Sequence, residues 1–284
     1  MNERPIEIDF APQGGSPHLP VEVLWRSQVL PRLASREVAT RQRIGFHQLV
    51  LCTEGSGRHL VDFESIHFQP GTLLRIHPGQ VQRFLLDESF EAVMVLWPIE
   101  SHHADPSAPT WYPGSMVPTK WDLDPDLHHR VLGWIDELRD AQQQFRNTAA
   151  HRSLSQALLC AVLMRLAIEV PATSPTGTQL PQAYLDYRHK IETSLYERPT
   201  VMSLAQELGY STRTLDRACQ QVSGRTARDV LDERVTLEVR RLLTHTDRPL
   251  ARIGAELGFN DASNFSKFVK RNLGEAPSVI RSQS

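Results

Sequence analysis

A short run, Leu204-Ala-Gln-Glu-Leu-Gly-Tyr210, recurs 49 positions later as Ile253-Gly-Ala-Glu-Leu-Gly-Phe259. After one inserted residue the match continues: Leu215 with Phe265, Arg217 with Lys267, Gly224 with Gly274. Self-similarity at a fixed offset means that one supersecondary unit is built twice. In each copy Leu204 and Leu208, or Ile253 and Leu257, fall at i and i+4 and therefore on one face of a short helix. Ala205 or Gly254 between them is small enough for a second helix to cross closely. Gly209 or Gly258 then ends the first helix, because glycine enters the left-handed conformation without a Cβ penalty. Tyr210 or Phe259 returns to the core, and Ser211 or Asn260 is suited to cap the next helix. That helix runs to Gln221 or Asn272 before Gly224 or Gly274 stops it.

Two helices joined by a turn of about three or four residues make a helix-turn-helix, whose second helix enters the major groove of DNA. Spacing sorts the faces of that second helix. In the first copy Leu215, Ala218 and Val222 point inward, leaving Thr212, Arg213, Asp216, Arg217 and Gln220 outward. In the second, Phe265, Phe268 and Val269 point inward, leaving Ala262, Ser263, Ser266, Lys267 and Lys270 outward. Arginine pairs bidentately with guanine, and serine or threonine contacts bases or phosphates. With Ser211, Thr214, Asn260 and Asn264 near the helix starts, these residues form the candidate DNA-contacting set. Asp216 is the odd member: phosphates repel it unless it accepts from a cytosine amino group or orients Arg213 or Arg217. Between the copies, Thr226–His245 carries Val230, Leu231, Val235, Leu237, Val239, Leu242 and Leu243 without interruption. A helix of about 20 residues spans about 30 Å, close to one turn of B-DNA, so it can set two recognition helices in successive major grooves.

The run from Leu204 through Tyr-Ser-Thr-Arg-Thr-Leu-Asp to Arg217, Arg234, Arg240-Arg-Leu-Leu243 and above all Ile253-Gly-Ala-Glu-Leu-Gly-Phe-Asn-Asp-Ala-Ser-Asn-Phe-Ser-Lys-Phe-Val-Lys-Arg-Asn-Leu-Gly-Glu-Ala-Pro277 carry a resemblance. Through them, residues 181–284 resemble the DNA-binding domain of the arabinose-operon regulator (AraC/XylS) family. Gly254 and Leu273 stand where that family usually has alanine and an aromatic, and Ile280 where tyrosine is frequent. The resemblance implies binding to double-stranded promoter DNA and transcription activation, with RNA polymerase as a further partner.

The rest of the chain is patterned differently. Between about 21 and 97, short β-branched apolar segments are expected as strands at His47–Thr53, Gly57–Phe63, Thr72–Ile76, Val81–Leu86 and Phe90–Trp97, broken at Glu54-Gly-Ser-Gly57, Gln69-Pro-Gly71 and His77-Pro-Gly79. Such spacing points to an antiparallel sandwich or barrel. Leu127, Val131, Trp134, Ile135 and Leu138 recur at helical spacing in 126–147. Leu154, Leu158, Val162 and Leu166, widened by Leu159 and Leu163, do so in 150–170. The pair reads as a helical hairpin that either packs on the barrel or offers a spare apolar face to a dimer. Pro171-Ala-Thr-Ser-Pro-Thr-Gly-Thr-Gln-Leu-Pro181 reads as a linker. The expected fold class is α+β: a barrel or sandwich domain (1–125), a helical hairpin (126–170), a linker (171–180) and an all-α domain with two helix-turn-helix units (181–284).

Phe46–Phe84 resembles the cupin-like sensing domain often carried by that family, through Gly55-Ser-Gly57, Val61-Asp62 and Pro70-Gly-Thr-Leu-Leu-Arg-Ile-His-Pro-Gly-Gln-Val-Gln-Arg-Phe84. Metal-binding cupins have histidine where this chain has Gln82, and a His-x-His pair where it offers only His47. An amide oxygen is a poor substitute for imidazole on a transition metal, so no metal, cofactor or catalytic residue is expected. A barrel mouth is nonetheless a common small-ligand site, which makes His47, His59, Arg75, Gln82 and Trp97 the candidate effector-binding residues. His102-His103 and His128-His129 are set aside as surface pairs, since adjacent histidines do not share one side of a helix.

Charge agrees with this division. Residues 180–284 hold 16 Lys+Arg against 13 Asp+Glu, and residues 1–179 hold 15 against 20, so the basic excess lies with the repeat. No apolar run approaches the roughly 20 residues a bilayer requires, and the opening MNERPIEIDF reads as neither signal peptide nor anchor, so a cytoplasmic location is expected. Cys52, Cys160 and Cys219 are widely separated, which argues against a disulfide framework or zinc site. The reading is an effector-responsive transcription regulator, not an enzyme, with promoter DNA, a small-molecule effector, RNA polymerase and a second copy of the chain as partners. The alternatives are a metal-dependent cupin enzyme fused to a DNA-binding domain, or an N-terminal domain that serves only dimerisation or a protein partner.

Overall fold

The computed structural model describes residues 5–12, 18–29, 41–84, 89–99, 120–170 and 180–282. His102-His103 and most of the expected linker lie outside them. The described residues up to Val170 form one compact unit, and those from Leu180 onward form another.

The first unit contains strands β1 (Ile6–Ile8), β2 (Glu22–Trp25), β3 (Gln42–Ile44), β4 (His47–Val61), β5 (Glu64–Phe68), β6 (Thr72–Ile76), β7 (Val81–Phe84), β8 (Ser89–Trp97) and β9 (Lys120–Asp122), with a short helix α1 (Arg26–Val29). They make two sheets, ordered β2-β8-β4-β6-β9 and β1-β3-β7-β4-β5. All pairings are antiparallel except β1 with β3. Because β4 belongs to both sheets, the whole curls into a half-barrel.

This corrects the expected break at Glu54-Gly-Ser-Gly57. The chain runs straight through it, with a bulge where pairing to β8 shifts register between Cys52 and Glu54. Gly55 has φ 72°, and a Cβ there would lie 2.1 Å from the Ser89 carbonyl oxygen. The glycine is required by close approach of β8, not by a turn. The turn comes later, at Asp62-Phe63. Asp62 takes φ 53°, and its carboxylate accepts from the Val81 N–H at 3.1 Å and from Gln80 Nε2 at 2.9 Å.

Alternation along β4 buries both faces. Val50 and Cys52 point into the half-barrel with Ile44, Phe46, Phe68, Leu74 and Met94. Leu49 and Leu51 point the other way, with Val23, Leu73, Val93 and Val95, against two helices. These are α2 (Pro125–Gln143), capped by Asp124, and α3 (Ala149–Glu169), capped by Thr148. Helix α2 buries Leu127, Val131, Ile135 and Leu138, as its spacing predicts. Helix α3 is rotated from its expected stripe: Leu159, Val162, Leu163 and Leu166 are buried, while Leu154 is 50% exposed. Its apolar residues outnumber one stripe, and the sheet covers only the side centred on Leu159 and Leu166.

The second unit is helical: α4 (Gln182–Ser194), a 3-10 turn (Leu195–Glu197), α5 (Val201–Glu207), α6 (Thr212–Ser223), α7 (Ala227–His245), α8 (Leu250–Glu256), α9 (Ala262–Leu273) and α10 (Pro277–Ser282). They share one core. No helix among the described residues is long and apolar enough to cross a membrane.

Candidate nucleic-acid interface

The repeated sequence becomes two similar helix pairs. Helix α5 is held at its start by a reciprocal box, Thr200 accepting from the Ser203 N–H and Ser203 from the Thr200 N–H. It buries Leu204 and Ala205 and gives way to Gly209 at φ 71°. Ser211 then caps α6, its Oγ accepting the Thr214 N–H at 3.0 Å, and Gly224 ends that helix in the left-handed conformation. In the second pair, α8 buries Ile253 and Gly254, turns at Gly258 (φ 69°), and α9 ends at Gly274 (φ 82°). A Cβ on Gly254 would lie 3.3 Å from Phe265 Cβ, so the crossing there is as close as the small residue suggested. The cap of α9 differs from expectation. Asp261, not Asn260, accepts the Asn264 N–H, at 2.7 Å, and also holds the Asn264 side chain.

Packing fixes which faces remain outside. Leu215, Ala218 and Cys219 of α6 and Phe265, Phe268 and Val269 of α9 are buried. Val222 is only half-buried, and Cys219, which the spacing argument passed over, takes the inward place. Burial pushes its thiol up to about 12, so it is a packing residue. Thr212, Arg213, Arg217 and Gln220 are exposed on α6, and Ala262, Ser263, Ser266, Lys267 and Lys270 on α9. Asp216 does not join them. It is half-buried, and its Oδ1 accepts the Ala227 N–H at 2.8 Å, at the first turn of α7. A carboxylate fits there because free amides and the positive helix end meet it. The Asp216→Ala variant should therefore lose about 0.5–2 kcal/mol of stability in urea, with DNA affinity of the folded protein unchanged in binding isotherms.

Helix α7, 19 residues and so about 28 Å long, joins the two pairs. It is fixed by a buried ionic cluster. Arg234 Nε lies 2.9 Å from Glu192 Oε1, while Arg234 and Arg241 converge on Glu238 Oε2 at 3.3 and 3.1 Å. The Tyr196 hydroxyl donates to the other Glu238 oxygen at 3.2 Å. The sequence singled out Arg234 and Arg241 without a role; the structure makes them clamps between α4, the 3-10 turn and α7.

Several other surface arginines of this unit are neutralised. Arg225 pairs with Glu233, Arg228 and Arg271 with Asp232, and Arg252 with Glu256, at 2.6 to 3.0 Å. Arg213, Arg217, Lys267 and Lys270 have no ion pair among the described residues. Two equivalent faces thus present cations that no carboxylate compensates.

In the first unit the effector candidates are divided by the sheet. Leu73 and Arg75 point to the helix side of β6, and His47 stacks on Trp97 (5.4 Å) with Arg75 over the same indole at 5.7 Å. These three therefore do not line the barrel mouth. His59 and Gln82 face the interior, where His59 Nε2 meets Gln82 Oε1 at 3.1 Å and Gln82 Nε2 donates to Gln48 Oε1 at 3.0 Å. Desolvation lowers the His59 pKa to about 4. Of the five, only Gln82 borders a cavity of about 110 Å³, which is walled by Phe10, Leu24, Ile44, Phe46, Met94 and Leu96, with Glu22, Gln42 and Gln48. Sequence reasoning missed these residues because Gln42 and Glu22 sit on strands too short to show alternation. His129 is exposed on α2, as a surface residue would be, whereas His128 is half-buried with its Nε2 shielded from solvent.

Residues 204–283 match the family described as helix-turn-helix domain. The activator RhaS of Salmonella schwarzengrund is 24% identical over 287 residues, spanning 96% of this chain and 95% of that protein. Among solved structures, an AraC-type regulator from Chromobacterium violaceum is 24% identical over 36% of this chain and 91% of its own, with a TM-score of 0.33. ToxT from Vibrio cholerae is 12% identical over 84% of this chain and 89% of its own, with a TM-score of 0.38. With the doubled motif and its matched helix pairs, the helix-turn-helix family match and the likeness to RhaS over 96% of the chain make this protein a DNA-binding transcription regulator, similar to those of the AraC/XylS family.

Proposed function

We propose that the two helix pairs are helix-turn-helix units and that α6 and α9 read successive major grooves of promoter DNA. The observation that carries this reading is the set of uncompensated cations on matching faces of α6 and α9, beside arginines that are ion-paired. Thr212, Arg213, Arg217 and Gln220 form the first contact set, and Ala262, Ser263, Ser266, Lys267 and Lys270 the second. Ser211, Thr214, Asn260 and Asn264, at or next to the caps, are placed toward the phosphates that helix starts attract. Arg217→Ala should cost about 1–3 kcal/mol on the specific operator and little on scrambled duplex, as loss of a base contact does. Lys270→Ala should weaken both duplexes alike and reduce the salt slope by about one, as loss of a phosphate contact does. Isotherms at several salt concentrations decide; parental binding by both variants would mean that these faces do not meet DNA.

The proposed division is a sensing domain over 1–125, a helical hairpin over 126–170, a linker over 171–180 and a DNA-binding domain over 181–284. The sensing domain would take its effector in the cavity beside Gln82. Apolar walls with three carboxamides and the Glu22 carboxylate suit a small, mostly apolar molecule with a hydrogen-bond donor. Such a ligand raises the unfolding temperature by mass action, and a thermal-shift screen that finds no active molecule would remove the sensing part of this reading. RhaS is named an activator; activation here, by contact with RNA polymerase, is proposed by analogy.

A further inference from the structure

Each helix pair is entered through an Arg-Pro step: Arg198-Pro199 stands six residues before Leu204, and Arg248-Pro249 five before Ile253. The two arginines are used differently. Arg248 reaches into its own pair, its Nη1 2.7 Å from Glu256 Oε2 of α8. Arg198 crosses to the other pair. Its guanidinium carbon lies 3.6 Å from the centre of the Phe259 ring and 5.0 Å from that of Phe268, both within cation–π range. The backbones approach as closely. A Cβ on Gly258 would lie 2.6 Å from Arg198 Cβ, whereas one on Gly209, its counterpart in the first pair, would meet nothing within 4 Å among the described residues. To make this contact Arg198 takes φ 53° and ψ 56°, a left-handed conformation unfavourable for a residue with a Cβ. Such strain persists only where surrounding contacts hold it.

We infer, on the reading that α6 and α9 meet DNA, that Arg198 is a positioning residue of the DNA-reading surface, a brace that fixes the angle between those two helices. Helix α7 sets the distance between the pairs; an angle needs a second, independent tie. The stretch of chain before α5 supplies it. Asp186 of α4 accepts from the Tyr210 hydroxyl at 2.8 Å, which holds the turn of the first pair. Arg198, twelve residues on, covers Phe259, the counterpart of Tyr210 in the turn of the second. Both turns are thus docked on one segment, which Glu192 and Tyr196 tie to α7 through Arg234 and Glu238. Phe259 in turn packs edge-on against Phe265 and Phe268 of α9, with ring centroids 5.2 Å apart in each case, so a shift of the guanidinium is passed to the recognition helix.

The test uses the full-length chain with Cys160→Ser, the remaining Cys52 and Cys219 being buried. Nitroxide labels at Gln221→Cys on α6 and Ser263→Cys on α9, both exposed, report the distance between the pairs by pulsed electron paramagnetic resonance without DNA. Arg198→Asn removes the cation and leaves a residue that tolerates the left-handed conformation. It should shift or broaden that distance distribution and leave unchanged the one between labels at Met202→Cys and Gln221→Cys, within the first pair. An unchanged distribution between the pairs would overturn the inference, as would equal broadening within the first pair, which would mean general loosening. On duplexes that the parent selects from a random pool, one base pair inserted between the two half-sites should weaken the parent about tenfold, the order of a mismatched pair, and Arg198→Asn less than about threefold. Equal sensitivity to the insertion would count against the brace. The salt slope should be the same for both proteins; a slope smaller by about one in Arg198→Asn would make Arg198 a phosphate contact and overturn its role as a brace. A pool that yields no two-part site would remove the reading of α6 and α9 as DNA-contacting helices, while the label distances, taken without DNA, would still decide whether Arg198 sets their angle.

Discussion

Replacing Glu238 by alanine should destabilise the helical unit by about 3–5 kcal/mol, because it removes the buried carboxylate on which two guanidinium groups converge. Arg241 is fully buried and Arg234 nearly so, and both reach Glu238 Oε2. Arg234 keeps Glu192 in the variant, but Arg241 loses its ion pair to Glu238. Urea unfolding followed by far-ultraviolet circular dichroism should register the loss. A fall in DNA binding should accompany it, since α7 spaces the two helix pairs. Replacing Glu192, which is more exposed, should cost less. If the Glu238 variant unfolds at the parental urea concentration, the cluster does not hold α7.

The second large effect is a pH dependence in the half-barrel. His59 is wholly buried, and desolvation, the leading cause, lowers its pKa from 6.5 to about 4. Below about pH 6.5 the unfolded chain takes a proton that the folded one refuses until about pH 4. Stability is therefore full above 6.5 and is lost as pH falls toward 4, by roughly 3 kcal/mol in all. His59→Gln removes the titrating group and should flatten that part of the slope. All five tryptophans lie before residue 135, so tryptophan fluorescence in urea at pH 7, 5.5 and 4.5 follows this unit alone. Parallel slopes for parent and variant would show that His59 is not the group responsible.

The helical unit was legible because its signals are local. Glycine at the left-handed stops, apolar residues at i and i+4, and a hydroxyl cap at Ser211 each act within one turn, and the repeat states them twice. Where a cap depends on which neighbour has the better geometry, the sequence misled: Asn260 and Asp261 are adjacent and both suitable, and the fold uses Asp261. Asp216 lies at an outward spacing, yet the first turn of α7, eleven residues on, claims its carboxylate.

In the half-barrel the sequence by itself determined that short strands would form an antiparallel assembly with a helical hairpin beside it. Tertiary structure decided which side of each strand faces which partner. The reason is the period of two. A strand buried on both faces gives no polar alternation to read, and a single displaced residue, such as the bulge between Cys52 and Glu54, exchanges inside for outside. His47, Arg75 and Trp97 were thus grouped with His59 and Gln82 by composition and separated by the sheet. Helix α3 shows the same limit. Its sequence carries apolar residues for two stripes, and only the position of the sheet determined that Leu159 and Leu166 would be buried while Leu154 and Ile168 stayed outside.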